Sequence, residues 1–268
     1  MSQARARLQL QAATGIHRGD RQYQQDRIEI FPHPRVQGLI LVVVADGMGG
    51  RSGGRMAADQ VMLTAQQLFE RFVPSQEEPL DLLHSLVRES HLMIKLSAIS
   101  AEQEPHSTVA CALLQPDGHC HWAHVGDSRV HVFRAGKLVV RTKDHSYVQD
   151  LVDAGTLSEG MARNHPMSNV LTSSLGTTED PPLTSDSLQL QAGDVLLLCT
   201  DGLWHYFVDA ELGSSLGRLD PRDSCEFLIA KARQRAMGRG DNLSLAVVKL
   251  LRAEAPATPP KRPPKLHG

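Results

Sequence analysis

The sequence lacks the features that mark several large protein classes. Its four cysteines, Cys111, Cys120, Cys199 and Cys225, include no C-x-x-C pair, which argues against a zinc ribbon or a thioredoxin-like motif. Cys111, Cys120 and Cys199 stand in apolar runs and are expected to be reduced core residues. The formal net charge is −2 over 268 residues, too small to attract nucleic acid or to keep an acidic chain unfolded. The opening "MSQARARLQLQAATG" holds no apolar core of signal-peptide length. No apolar run approaches the ~20 residues of a membrane span. No internal repeat is visible. These absences lead us to expect a cytoplasmic, monomeric protein without membrane or nucleic-acid partners.

What is present is enough chain for a sizeable core and a clear alternation of element types. Leu8–Gly15, Arg27–Phe31 and the continuous apolar run Gly38–Val44 read as strands, the last buried on both faces. Gly53–Phe72 and Pro79–Ser100 carry apolar residues at helical spacing. Strand-like segments follow at Thr108–Gln115, His119–Val125, Arg129–Arg134 and Lys137–Thr142, with hairpin signals at "PDG" and "RAG". A short helix is expected at His145–Ala154, then a polar, turn-rich stretch to Asp186. "GDVLLLCTDGLW" (Gly193–Trp204) supplies another strand, Pro221–Arg235 an amphipathic helix and Leu243–Leu251 a last strand. Strands and helices come in blocks. That predicts an α+β fold, a four-layer αββα sandwich of two antiparallel β-sheets flanked by helices, over residues 1–252. Residues 253–268 hold five prolines and read as a Pro-rich disordered tail.

The chemistry sits at the strand ends. In "LILVVVADGMGGRSGG" (Leu39–Gly54) a buried strand stops at Asp46 and a string of glycines. One Asp-Gly is most simply a turn, but the device recurs. Asp201 follows "VLLLCT", Asp127 follows "HWAHVG", Asp241 precedes "NLSLAVV" and Asp26 precedes "RIEIF". If these ends meet at one sheet edge, the acids repel one another unless a cation intervenes. An all-oxygen set suits Mg²⁺ or Mn²⁺ better than zinc.

These motifs resemble those of the PPM-type (type 2C) metal-dependent serine/threonine protein phosphatases, in family order from about Gly15 to Leu250. "RQYQQD" (Arg21–Asp26) is similar to R-x-x-N-[EQ]-D, and "DGMGG" (Asp46–Gly50) matches D-G-x-G-G. "VGDSRVHVFRAGKL" (Val125–Leu138), "TKDHSYV" (Thr142–Val148), "NHPMSNVLTSSLG" (Asn164–Gly176), "LLLCTDGLW" and "GRGDNLSLAVV" (Gly238–Val248) supply the later blocks. The resemblance, closest to bacterial members, implies hydrolysis of phosphoserine and phosphothreonine in proteins, opposing a cognate serine/threonine kinase. It implies two Mn²⁺ or Mg²⁺ ions: Asp46 bridging them, the Gly47 carbonyl on one, Asp201 and Asp241 completing the second site. Asp127 would belong to a third metal site. Asp26 would hold metal-bound water from behind, and Arg21 would clamp the substrate phosphate. A hydroxide bridging the ions would attack phosphorus in line, with no phosphoenzyme.

Departures from the pattern keep alternatives open. Gln24 replaces the usual Asn, and His106 replaces the Gly of the G-T-T strand start. His205 stands where many members carry another Asp, which bears on the third metal. Met48 fills the variable position of D-G-x-G-G, where a thioether cannot act as the general acid proposed for a His in some members. Gln24, His106 and His205 admit a pseudophosphatase used as a binding module. A serine hydrolase is the other rival, from G-x-S-x-G around Ser52 or Ser215, although neither Ser lies at a strand-to-helix elbow. A nucleotide-binding glycine loop is a third, but no G-K-[ST] follows and G-x-G-x-x-G is missed. His119, His121, His124 and His131 read as surface or satisfied core residues, His145 and His165 as structural. Leu157–Asn164 reads as part of a flap beside the site.

Overall fold

Side chains along one central strand show how the layers stack. In Ile40–Ala45, Leu41, Val43 and Ala45 pack toward one side and Val42 and Val44 toward the other, all fully buried. A strand covered on both faces needs no polar alternation, hence the unbroken apolar run. The computed structural model describes residues 8–99, 104–163, 165–177 and 179–252. The Pro-rich tail at 253–268 and the flap's last residue, Asn164, lie outside them.

The elements in order are β1 (Leu8–His17), β2 (Arg27–Pro32), β3 (Ile40–Ala45), β4 (Gly47–Met48), α1 (Gly50–Arg71), α2 (Pro79–Ile99), β5 (His106–Ser107), β6 (Val109–Leu114), β7 (His119–Val125), β8 (Arg129–Arg134) and β9 (Lys137–Arg141). Then come α3 (Tyr147–Asp153), α4 (Glu159–Ala162), β10 (Thr184–Gln189), β11 (Asp194–Cys199), α5 (Asp201–Trp204), α6 (Asp209–Arg218), α7 (Pro221–Ala236) and β12 (Leu243–Arg252). One sheet runs β1-β12-β11-β8-β9, the other β10-β7-β6-β3-β2, and β4 pairs with β5. All of these pairings are antiparallel. Three apolar layers separate α1 and α2, the two sheets, and α5–α7. The αββα sandwich is therefore as the sequence implies. All four cysteines are buried and free. No helix among the described residues is long and apolar enough to cross a membrane.

The register explains why the acids meet. Arg27 pairs with Ala45, Val44 with Ala110 and Val109 with Val125. The start of β2, the end of β3, the start of β6 and the end of β7 thus lie on one edge. In the other sheet Cys199 pairs with Arg129 and Leu245, and His17 with Leu243. There the end of β11, the starts of β8 and β12, and the end of β1 share an edge. The chain passes between sheets at Gly126–Ser128, so the two edges adjoin at Asp127.

Several elements differ from the sequence expectation. Helix α1 begins at Gly50, three residues before Gly53. Strand β10 and helix α6 form within stretches that composition made look irregular. Ser215 lies inside α6 and Ser52 in the first turn of α1. Neither occupies the sharp turn that a serine nucleophile requires.

Candidate active site

A cavity of about 300 Å³ opens at this shared edge, lined by Arg21, Gln25, Asp46, Gly47, Met48, Asp127, Asn169, Leu171, Asp201, Asp241 and Asn242. Asp26 lies behind it, fully buried. All seven predicted site residues are therefore at one place: six on the wall and Asp26 beneath.

The backbone makes room for this crowding. A Cβ on Gly47 would fall 1.9 Å from the Gly54 carbonyl oxygen and 2.8 Å from that of Gln25, so only glycine lets β4 pass between them. Gly49, at φ +114°, turns the chain into α1. These two positions answer why a strand should end in Asp and then glycines. The loop bearing Arg21 is tied down by Asn242. Its Nδ2 donates to the Arg18 and Tyr23 carbonyls at 2.8 and 2.9 Å, and its Oδ1 accepts the Gln25 N–H at 2.7 Å. The Arg21 guanidinium pairs with the Asp241 carboxylate. Asp26 accepts a hydrogen bond from Thr200 Oγ1 at 2.9 Å on Oδ2. Asn242 and Thr200 were not singled out from sequence, although each adjoins a predicted acid.

The electrostatics are those of acids lacking enough counter-charge. Burial, then repulsion from Asp26, Asp201, Asp127 and Asp241, raises the Asp46 carboxyl well above the usual carboxylate range. Burial and then Asp201 and Asp144 do the same to Asp127. Burial lifts Asp201 to about 6 and Asp26 to about 7, with neighbouring aspartates adding to each. Arg21 is pushed up, first by its hydrogen bond to Asp241.

These residues fit hard divalent cations. The donors are all oxygen, and Asp26 Oδ1 and Asp201 Oδ1 are buried without a hydrogen-bond partner. Among the described residues, no three His, Cys, Asp or Glu side chains are disposed to hold an ion by themselves, and Asp241 is turned to Arg21. Carbonyl and water oxygens would have to share the ligation, as is usual for Mg²⁺ and its relatives.

The remaining sequence candidates fall elsewhere. Ser52 is exposed and does not line the cavity. His205 caps α5 in a separate cavity of about 80 Å³ with Arg129, Arg163 and Trp204; burial and then the two arginines lower its pKa. His106 pairs with Met48 across β4 and β5. His145 acts structurally: its Nδ1 accepts the Gly126 N–H at 3.3 Å, its Nε2 lies 2.9 Å from Thr184 Oγ1, and its ring stacks on His124. His131 is a core histidine whose ring stacks on Phe133. It is fully buried, neither ring nitrogen makes a hydrogen bond, and its Nε2 lies 3.9 Å from Asp209 Oδ1.

Comparison with known proteins points one way. The profile of the protein phosphatase 2C family matches residues 15–228. The protein phosphatase PhpP of Streptococcus pneumoniae is 29% identical over 224 residues, spanning 81% of this chain and 89% of its own length. The serine/threonine protein phosphatase PstP of Mycobacterium tuberculosis is 31% identical over 223 residues, 80% of this chain and 41% of PstP. A crystal structure of the PstP catalytic domain in complex with two manganese ions superposes with a TM-score of 0.77 at 27% identity, covering 91% of this chain and 99% of that one.

Proposed function

The chain belongs to the protein phosphatase 2C family, and from that premise we propose that it hydrolyses phosphoserine and phosphothreonine in proteins with two Mn²⁺ or Mg²⁺ ions. The observation that carries the reading is the convergence of Asp46, Asp127, Asp201 and Asp241 with Arg21 on one cavity, where buried carboxyls have raised pKa values. Asp46, the Gly47 carbonyl, Asp201 and Asp241 would hold the two ions; Asp127 stands where a third would need a further carboxylate, a place His205 takes. Bound there, the ions supply positive charge to phosphoryl oxygens and lower the pKa of water.

The chain's own residues do the rest. Arg21 is the cation at the rim, and its planar fork suits two phosphate oxygens once it leaves Asp241. Asn242 fixes the loop from which Arg21 reaches, so the phosphate meets a pre-set donor. Asp26 faces the site from its buried side and holds a proton or a water hydrogen at Oδ1. Met48 and Leu171 exclude bulk solvent from part of the wall. Phosphoryl transfer asks mainly for this positioning and charge neutralisation.

We further read residues 1–252 as the phosphatase domain, with 253–268 as an appended tail. We assign the enzyme to the cytoplasm, where four unpaired cysteines persist, opposing a cognate serine/threonine kinase. The test is hydrolysis of p-nitrophenyl phosphate and of a phosphothreonine peptide with Mn²⁺, with EDTA, and by Asp201→Asn with Mn²⁺. Turnover that needs Mn²⁺ and collapses in the variant is expected. Turnover that survives both would overturn the metal reading, and none under any condition would favour the binding module.

A further inference from the structure

The rung between the end of β3 and the start of β6 is wired unusually. Val44 pairs with Ala110, so Asp46 and Thr108 stand opposite each other two residues further along. A regular antiparallel rung exchanges two backbone hydrogen bonds. Here the Thr108 N–H donates to the Asp46 carbonyl at 2.9 Å, but the Asp46 N–H donates to Thr108 Oγ1 at 3.0 Å. The Asp46 carbonyl also accepts from Ser107 Oγ at 3.1 Å. Thr108 Oγ1 lies 2.7 Å from Ser128 Oγ, and Ser128 follows Asp127 in the chain. Thr108 and Ser128 are fully buried, so a hydroxyl lost there strands its partner away from bulk solvent. A valine would suit a buried strand position as well as threonine; what threonine adds is the hydroxyl.

We propose that Thr108 is a positioning residue for the reaction: its hydroxyl, with that of Ser128, locks the backbone of Asp46 to the loop of Asp127 so that the two carboxylates keep one relative placement. The inference rests on the reading of Asp46 as a cation-holding carboxylate. Valine at 108 keeps the shape but strands the Asp46 N–H and the Ser128 hydroxyl, and Asp46 is then free to shift at the sheet edge. Alanine at 128 breaks the same link from the other side.

The experiment measures Mn²⁺ binding to metal-free protein by calorimetry, and kcat and KM for p-nitrophenyl phosphate, in wild type, Thr108→Val, Thr108→Ser, Ser128→Ala and the Val/Ala double variant. Thr108→Val and Ser128→Ala are each expected to weaken Mn²⁺ binding about tenfold and to lower kcat by a similar factor, with KM within about twofold. The double variant should be no worse than Thr108→Val alone, because that change already breaks the link to Ser128. Thr108→Ser, which keeps the hydroxyl, should stay within about threefold of wild type. A folded Thr108→Val that binds Mn²⁺ and turns over like wild type overturns the proposal, as do effects of the two single changes that add. If Thr108→Val fails to fold, Ser128→Ala decides the question by the same readouts. A wild type that itself binds no Mn²⁺ overturns the metal reading, and the proposal with it.

Discussion

Asp144 and Asp194 lie in the same sandwich as Asp46 and Asp201, but in opposite electrostatic settings. Arg129 donates Nε and Nη2 to the two oxygens of Asp144 at 2.7 Å each. Arg134 does the same for Asp194 at 2.8 and 2.7 Å. Each of these buried acids has its own bidentate arginine. At the cavity, Asp26, Asp46, Asp127 and Asp201 press on one another, with Arg21 the cation on the wall and already engaged by Asp241. The first arrangement is complete as folded. The second is left for cations from outside, and this contrast separates structural acids from functional ones better than burial does.

The largest expected effect tests the cavity side. Asp46→Asn should lower kcat/KM by at least about a thousandfold, ~4 kcal/mol of barrier, and abolish Mn²⁺ binding by calorimetry. Its Tm in EDTA should hold or rise, because one of several repelling charges is gone. Asp144→Asn should do the reverse. It leaves buried Arg129 unpaired, at about 3–5 kcal/mol, which for a protein of this size lowers Tm by on the order of 10 °C. If Asp46→Asn were the one to melt early, the contrast would be wrong.

Next in size is the dependence of stability on pH. The Asp26 and Asp201 carboxyls are raised to about 7 and about 6 from 3.8, so the folded metal-free protein binds more protons than the unfolded chain. Stability in EDTA should therefore rise as pH falls from about 8 to 6.5. With saturating Mn²⁺ the carboxylates stay ionised and protons compete with the metal, so stability should fall over the same interval. Below about 6.5 the histidines oppose the EDTA trend. His145 is lowered to about 4, mainly by burial and then by His124, and stability from its neutral form is lost as pH drops toward that value. Thermal melts at both conditions across pH 5–8 check the signs. Parallel slopes would mean the acids do not need the metal.

How far these contrasts could be read beforehand depends on the range of the signal. The apolar run of β3 announces a doubly buried strand, and each of the five aspartates is visible at a strand end. The pairings that gather them are visible only once the register is known. Helix α6 hides in "DAELGSSLGR", where Gly213, Gly217 and two serines mask the buried Leu212 and Leu216 at i, i+4 spacing. Strand β10, "TSDSLQ", is an edge strand with little apolar content. The groups that aim the acids were the least legible. Thr108, Thr200 and Asn242 act on partners 62, 174 and 217–224 residues away, and no local pattern marks such a pairing.

The smallest expected effect concerns His205, at the boundary between the two regions. It caps the short helix that begins with Asp201, yet it lies among Arg129 and Arg163 and not on the carboxylate wall. The Asp127 loop is held from this side by Trp204, whose Nε1–H donates to the Asp127 carbonyl at 2.9 Å, with Arg129 stacked over the same indole. A neutral imidazole at 205 leaves Asp127 with no carboxylate on this side beyond Asp201, which the two-ion site already uses, so two Mn²⁺ per chain is the expected stoichiometry. His205→Asp adds that acid beside two arginines that can offset its charge. The variant should keep its fold, change kcat by no more than about threefold, and show a third, weaker Mn²⁺ equivalent in a titration followed by electron paramagnetic resonance. An unchanged stoichiometry would mean that the arginines neutralise the new carboxylate and that His205 belongs with the self-sufficient ion pairs, not with the metal-seeking edge.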